Sequence, residues 1–547
     1  MSPLSPADVS VAVVGGGIGG LSAAQELAER GVSVSVYEAN PRFGGKARSV
    51  PVSPAENALH GEHGFRFFPG FYRHVVDTMA RIPTPDGSVA DRLVETEETL
   101  IARVSGAEAR PETRSPRTPG EWLRALRPRV AQDLAPGEFR FFASRLLYLL
   151  TACDARRETE LDRVSWWRFI EADRHSETYR NRLAHATQAL VALRPEVGSA
   201  RTIGTIYTQL LGGQLDPTVP TERVLDGPTS EAWIDPWVSY LDSLGVALHP
   251  GTPARTLRSD GARVSGVELA SGEVVEADYY VLAVPVEVAP RLLPAELKRA
   301  DPQLAHIERL ETAWMNGIQF FLSEDVPLVR GHGVYQDAPW ALTSVSQRQF
   351  WSRFEPGEKV PAGVEGVLSV IVSDWDTPGI RYDKPARECT REEIKEEVWA
   401  QLKAHLNRRE DRLRDDMVVD WFLDPAIVEG DGGVENREPL LINTVGSLRN
   451  RPDAATRIPN LTLAADYVRT NTDLACMESA NEAARRAVNA VVERSGVRAD
   501  PCAVWELREP AVFAPLKKGD ELRYRLGLPH PAAVGDSLRE TVRNLRV

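Results

Sequence analysis

Gly15, Gly17 and Gly20 follow a run of Val9, Val11, Val13 and Val14, and Glu38 closes a second run, Val32, Val34 and Val36. Residues of these types at this spacing can bind a nucleotide. A short β-branched run without charge reads as a strand buried on both faces of a parallel sheet. Gly15 permits the tight turn after it, Gly17 lets a pyrophosphate approach the backbone, and Gly20 lets the next helix pack closely. That helix shows in Leu21, Ala24, Leu27 and Ala28, ends at Gly31, and offers its first N–H groups to an anion. A glutamate ending the second strand accepts hydrogen bonds from both hydroxyls of an adenosine ribose, and its charge repels the 2′-phosphate of NADP. Glycine-rich turns are common, but strand, turn, helix, strand and acid in this order define a nucleotide-binding βαβ unit.

Arg42, Gly44, Gly45, Lys46 and Ser49 continue the unit. Paired glycines let backbone amides reach a second phosphate, with a cation beside it. This continuation resembles that of the flavin amine oxidase and carotenoid desaturase superfamily. The resemblance implies FAD, held at this end by Gly15, Gly17, Gly20, Glu38, Ala39, Gly44, Gly45 and Lys46.

The loop that follows, His60 to Pro83, carries Gly61, Gly64 and Gly70 among five aromatic residues. On its own it reads as an aromatic core segment or as a backbone approaching something flat. The order Glu62, Gly64, Arg66, Phe67, Phe68 is similar to plant-type phytoene and ζ-carotene desaturases, which implies that Glu62, His63 and Gly64 lie beside the isoalloxazine. Arg66 is then expected as the charged group nearest the reacting centre, or else in a salt bridge to Glu62 or another acid, and His63 as the alternative proton acceptor.

Near the other end, a strand from Leu461 to Ala464 leads to Asp466, and a helix starts near Ala475. Asp466 suits a polyol hydroxyl; the helix start suits the O2 and N1 side of a flavin, which is negative when reduced. The stretch resembles the C-terminal motif of carotenoid desaturases and implies flavin contacts at Asp466, Met477 and Ser479. It departs from that motif at Ala465, Val468 and Ser479, and Ser479 is expected to crowd the flavin edge. The strand Asp278 to Pro285 is similar to the superfamily's return strand, and Ala254 stands where a valine usually gives adenine a backbone contact.

Between these landmarks, residues 90 to 245 pattern as helices. Glu138 to Arg157 fits a core helix or one lying on a membrane surface, and Trp237 to Leu244 is a candidate cavity wall. Strands separated by turns at Asp260-Gly261 and Ser271-Gly272 fill Val246 to Pro285. Strands at Gly317 to Leu322, Val367 to Val372 and Met417 to Phe422, aromatic strands over Trp340 to Trp351, and a helix at Thr390 to Leu406 indicate a mixed sheet lining a cavity. The expected fold is α/β: a discontinuous Rossmann-type FAD-binding domain (9–85, 246–290 and 440–495) with a mixed α+β substrate domain (86–245 and 291–439) and a C-terminal arm (496–547) that packs or meets a partner.

With 547 residues the chain can bury a large core, and a net charge of -13 argues against a nucleic-acid partner. Cys153, Cys389, Cys476 and Cys502 form no CxxC pair, which suits a reducing compartment and gives no metal framework. Without a leader pattern or a membrane span, a cytoplasmic location is expected, with peripheral membrane contact as the variant. The resemblance implies two-electron oxidation by hydride transfer to flavin N5. It favours a hydrophobic isoprenoid- or polyene-like substrate, with quinone or oxygen as electron acceptor, and hydroxysqualene dehydroxylases stand in the same neighbourhood. An aromatic cage with a lysine, as amine oxidases carry, is not identifiable. Amine oxidation and a catalytically silent flavin-binding assembly protein remain the alternatives.

Overall fold

The computed structural model describes residues 5–52, 60–113, 134–215, 219, 222–352 and 363–533. A five-stranded sheet organises the nucleotide-binding lobe, in the order Ala247–His249, Ser33–Tyr37, Ser10–Val14, Tyr279–Leu282, Leu461–Leu463. All four pairings are parallel. After its second strand the chain leaves this sheet and returns to it three times, and the fold is α/β of the Rossmann type. Val11, Val13, Val34, Val36, Val281 and Leu463 are buried, as a sheet covered on both faces requires.

Helix Ile18–Ala28 packs against helix Met477–Ser495, so the first and last landmarks of the sequence meet. The approach depends on missing side chains. A Cβ on Gly20 would lie 1.8 Å from the Gly15 carbonyl oxygen, and one on Gly19 would lie 1.9 Å from that of Ala464. Asn481 fastens the contact through Ser22 Oγ at 2.8 Å and Thr78 Oγ1 at 2.9 Å. An antiparallel three-stranded sheet, Ala254–Ser259, Val264–Leu269 and Val274–Val275, follows the expected turns.

The second lobe is built on a seven-stranded sheet in the order Val418–Leu423, Asn316–Leu322, Gly366–Val372, Thr343–Ser346, Gly331–Tyr335, Glu98–Ala102, Glu108–Ala109. Its core gathers Phe320, Trp340, Trp375 and Trp399 under helix Arg391–Leu406, which Thr390 and Glu393 cap reciprocally. Strand Glu98–Ala102 lies within a stretch whose sequence patterns as helix. It is too short to show a period of two, and its partner Gly331–Tyr335 is remote in sequence.

Helices Pro136–Thr151 and Ala200–Leu215 enclose a third core around Phe142, Tyr148 and Trp166. The first is thus a core helix, with Leu147 exposed. The wall expected at Trp237 to Leu244 stands elsewhere. Helix Asp235–Ser243 buries Trp237 against Trp233 in the nucleotide lobe, ring centroids 5.7 Å apart and nearly parallel, because both indoles fill the space beside helix Ile18–Ala28.

Residues 496–533 pack back on the molecule. In helix Ala514–Arg525, Asp520 accepts hydrogen bonds from Cys153 N at 2.9 Å and from Arg156 Nε at 3.0 Å. The rest of the arm, 534–547, lies outside the described residues. No helix among the described residues is long and apolar enough to cross a membrane, and the four cysteines are free.

Candidate functional site

One cavity of about 520 Å³ runs between the two lobes, from Glu38 and Ala254 past Asp466 to Met315 and Ile371. Of the residues singled out in the sequence, Gly15, Gly17, Glu38, Ala39, Gly44, Gly45, Lys46, His63, Arg66, Ala254, Asp466 and Met477 line it. Gly20, Glu62, Gly64 and Ser479 stand behind its walls.

At the nucleotide end, two glycine turns lie side by side. Gly15 has φ 105° and the Ala283 carbonyl where a Cβ would be; Gly44, at φ 108°, donates its N–H to the Gly16 carbonyl at 2.8 Å. A Cβ on Gly17 would meet only Gly45, at 3.7 Å or more, so the backbone there is open to the cavity. The helix begins at Ile18 without a side-chain cap, and its first internal bond runs from Leu21 N to Gly17 O. The N–H groups before Leu21 are therefore free of intrahelical acceptors at the cavity. Glu38 is buried and braces the turn, accepting from Gly16 N at 2.7 Å and Asn40 N at 2.8 Å.

Lys46 is engaged by protein groups: its Nζ lies 2.9 Å from Glu287 Oε1 and donates to the Pro439 carbonyl at 2.5 Å. Burial pushes the Glu287 carboxyl up and Lys46 only partly offsets this; Glu287 Oε2 is buried without a partner. Burial likewise raises Asp466, against the opposing charges of Lys46 and Arg451. Arg451 fixes the turn that carries Asp466, donating to the carbonyls of Asp466, Tyr467 and Val468 at 2.7 to 3.0 Å. A fourth bond ties Arg451 to Asp473 Oδ1 at 2.5 Å, and Asp473 also pairs with Arg201 of helix Ala200–Leu215. Ile206 and Leu210 of that helix form the cavity wall. Free N–H groups and a lysine for phosphates, a glutamate for a ribose and a buried aspartate for a polyol make a set that can hold a dinucleotide end to end.

The expected crowding at Ser479 does not occur. Its hydroxyl bonds Thr470 Oγ1 at 2.7 Å on the far side, and Ala475, Cys476, Met477 and Ala480 face the cavity instead.

At the other end, the flat object met by Gly61 is the Phe422 ring, 2.3 Å from where a Cβ would stand. Gly64 lies against Gly317, whose added Cβ would come within 2.8 Å of the Gly64 Cα. Both glycines seat the loop on the large sheet. Glu62 is buried and accepts from Thr229 N at 2.6 Å and Ser49 Oγ at 3.2 Å. It is not ion-paired with Arg66, which donates to the Lys46 carbonyl at 2.8 Å and keeps its Nε buried without an acceptor. Burial lowers the Arg66 guanidinium, against the charges of Glu62 and Asp424.

His63 Nδ1 lies 2.5 Å from Asp424 Oδ2, an ion-pair distance reached off the ideal hydrogen-bond direction. A second histidine, His332, lines the same chamber with no carboxylate partner among the described residues. Phe65 and Phe67 flank its ring at 5.1 and 5.2 Å, its Nε2 has no partner, and burial pulls it down to about 4. The sequence reading passed over Asp424, His332 and Glu287. Glu287 lies on the loop after strand Tyr279–Leu282 of the parallel sheet, where α/β folds present functional groups; Asp424, just past strand Val418–Leu423 of the antiparallel sheet, and His332 carry no local signal.

A family model described as flavin containing amine oxidoreductase matches residues 18–492. The carotenoid phi-ring synthase of Streptomyces griseus is 26% identical over 514 residues, covering 89% of each chain. The 15-cis-phytoene desaturase of Synechococcus elongatus is 24% identical over 512 residues, covering 88% of this chain and 96% of the relative. Among solved structures, wild-type putrescine oxidase bound to putrescine superposes with a TM-score of 0.60 at 15% identity, covering 89% of this chain and 99% of that one.

Proposed function

The chain belongs to the flavin-containing amine oxidoreductase family and is a flavin-dependent oxidoreductase; on that premise we propose that it binds FAD and desaturates, or otherwise dehydrogenates, a hydrophobic isoprenoid- or polyene-like substrate. One observation carries the choice of substrate. Beyond the polar end, the cavity is walled by Met315, Ile371, Ile206, Leu210, Phe65 and Phe67, and its one lining lysine, Lys46, is at the polar end with Glu287. A long apolar chain fits such a chamber, and among the described residues no carboxylate lines that part of it to pair with an amine. The relatives matched over nearly their whole length carry carotenoid names, which supports the same reading.

The flavin supplies the two-electron acceptor for a hydride leaving the substrate. In this reading Glu38 takes the adenosine ribose, the N–H groups of the two glycine turns take the phosphates, and Asp466 takes the ribityl chain. Open backbone at Gly17 and a buried aspartate without a side-chain donor suit those tasks. The apolar walls exclude water from the reacting carbon. Exposed Leu516, Leu522, Leu526 and Leu528 on the C-terminal arm support peripheral contact with the membrane that would dissolve such a substrate.

The test is anaerobic flavin reduction by ζ-carotene or phytoene presented in liposomes, with the released cofactor identified by chromatography and reoxidation compared for oxygen and a quinone. Bleaching by the polyenes supports the reading. Bleaching by amines with rapid peroxide formation in air replaces it with amine oxidation, and no reduction by any donor identifies a silent flavin protein.

A further inference from the structure

Removing a hydride from one carbon is half of a desaturation. The neighbouring carbon must lose a proton, and the electron pair of that C–H bond becomes the second bond of the new C=C. The hydride goes to the bound flavin, and the proton needs a base in the apolar chamber. Resting on the reading above, we infer that His63 is this base and that Asp424 is its positioning residue, holding the proton on Nδ1 so that Nε2 keeps its lone pair for the substrate.

The geometry carries the pairing. An unprotonated ring nitrogen and a carboxylate oxygen repel, so the approach of Nδ1 to 2.5 Å from Asp424 Oδ2 favours the proton on Nδ1. Which ring nitrogen is protonated follows from the bond the other makes. Nδ1 is the nitrogen that faces Asp424 and has no other partner among the described residues, which leaves Nε2 as the nitrogen for the substrate. Asp424 is itself fixed. Its Oδ2 accepts from Asn316 Nδ2 at 2.5 Å, its Oδ1 from Ala426 N at 3.0 Å, and Asn436 orients Asn316 at 2.8 Å. Backbone bonds from Gly317 N to the His63 carbonyl at 2.5 Å and from Asp424 N to the Gly317 carbonyl at 3.1 Å lock loop and strand ends together.

His332 provides the contrast. It shares the chamber but lacks a carboxylate, and a ring held near 4 is a poor proton acceptor at neutral pH. Burial works against the charged form of Asp424 as well, yet His63, Asn316 and the Ala426 N–H hold it down to about 2, so it stays an anion and stabilises the imidazolium that proton transfer creates. The other charges near the pair are Arg66, from the same loop, and Arg391, which donates to the Asp424 carbonyl at 3.3 Å. Glu62 turns away to Ser49 and Thr229. The proton passes from the His63 imidazolium to water when the chamber next opens.

Histidine-selective ¹⁵N labelling of the flavin-loaded protein tests this directly, with the His63 signal assigned by its loss in His63→Gln. The neutral ring is expected as the Nδ1–H tautomer in the wild type and as the Nε2–H tautomer in Asp424→Asn. In parallel, diethylpyrocarbonate should acylate His63 Nε2 in the wild type and at least about tenfold more slowly in Asp424→Asn. A wild-type ring already in the Nε2–H form, or acylation unchanged by Asp424→Asn, overturns the inference; should that variant not fold, the wild-type tautomer decides. Where ζ-carotene liposomes reduce the flavin, Asp424→Asn should slow reduction by about a hundredfold; an unchanged rate also overturns the pair. If ζ-carotene fails to reduce the wild type, the polyene reading fails, while tautomer and acylation still decide the pair.

Discussion

Lys46 Nζ stands 2.9 Å from Glu287 Oε1, at the place where the sequence assigns that lysine to a phosphate. A dinucleotide therefore competes with Glu287 for Lys46 and brings negative charge toward Glu287 and Asp466, both raised by burial. Glu287→Gln should tighten FAD binding several-fold, read by titration of flavin fluorescence on the apoprotein. Wild-type affinity should rise as pH falls, because protonating either acid relieves the repulsion, and Glu287→Gln should flatten that slope.

Glu38 has two tasks, bracing the glycine turn and, in the proposed complex, receiving the ribose. Glu38→Arg should reduce FAD occupancy, the loss of a hydrogen bond to a charged group being worth roughly 1.5–3 kcal/mol. Glu38→Gln, which retains one acceptor, should fall between. Equal occupancy in all three proteins would remove Glu38 from the site.

Asp466→Ala should weaken FAD binding without unfolding the apoprotein, since Arg451 holds the turn through backbone carbonyls. Circular dichroism should be unchanged and the apoprotein melting temperature no lower, because an uncomfortable buried carboxylate has been removed. Retention of wild-type flavin affinity would make Asp466 a turn residue only.

Arg66 donates to a backbone carbonyl and lacks an ion pair, which leaves its charge available to the cavity. Arg66→Ala should slow reduction by substrate if the guanidinium acts on the substrate, or slow only reoxidation by quinone if it serves the acceptor. A stopped-flow comparison in which neither half-reaction changes would assign it to structure alone.

His332 and Asp424 should each cost stability in acid, read as the difference between the wild type and a variant at that site, because Glu222 and Asp162, raised by burial to about 7 and about 6, act in the opposite direction. His332 is lowered from 6.5 to about 4, so the unfolded chain binds the extra proton first, and stability complete above about pH 6.5 is lost toward pH 4, by about 3 kcal/mol. Asp424, lowered from 3.8 to about 2, contributes stability above pH 3.8 that falls away toward pH 2, by about 2 kcal/mol. Denaturant midpoints measured across pH should lose the His332 contribution in His332→Phe and keep that of Asp424.

The nucleotide half of this architecture was legible because its rules are local. Gly15, Gly17, Gly20 and Glu38 sit within one βαβ unit, and each spacing has a steric or electrostatic reason. The strand, the turn at Asp466 and the helix after it were legible for the same cause. The chamber was legible only in part: His63 and Arg66 drew notice through their loop, whereas Asp424 belongs to an ordinary edge strand and acquires meaning only when the sheet brings it to His63. Gly61 and Gly64 show the converse, since glycines that suggest contact with a flat ligand are explained by Phe422 and Gly317 of the chain itself.

The strand order of the nucleotide sheet also dictates a timetable. Strand Ser10–Val14 cannot gain its neighbour Tyr279–Leu282 until most of one lobe has been made, and Leu461–Leu463 closes the edge later still. At the roughly 5–20 residues per second of translation, the first valine-rich strand waits tens of seconds on the ribosome with an apolar edge uncovered. That edge stays open throughout the interval, and in the proposed complex, where Asp466 holds the ribityl chain, flavin capture becomes a late event.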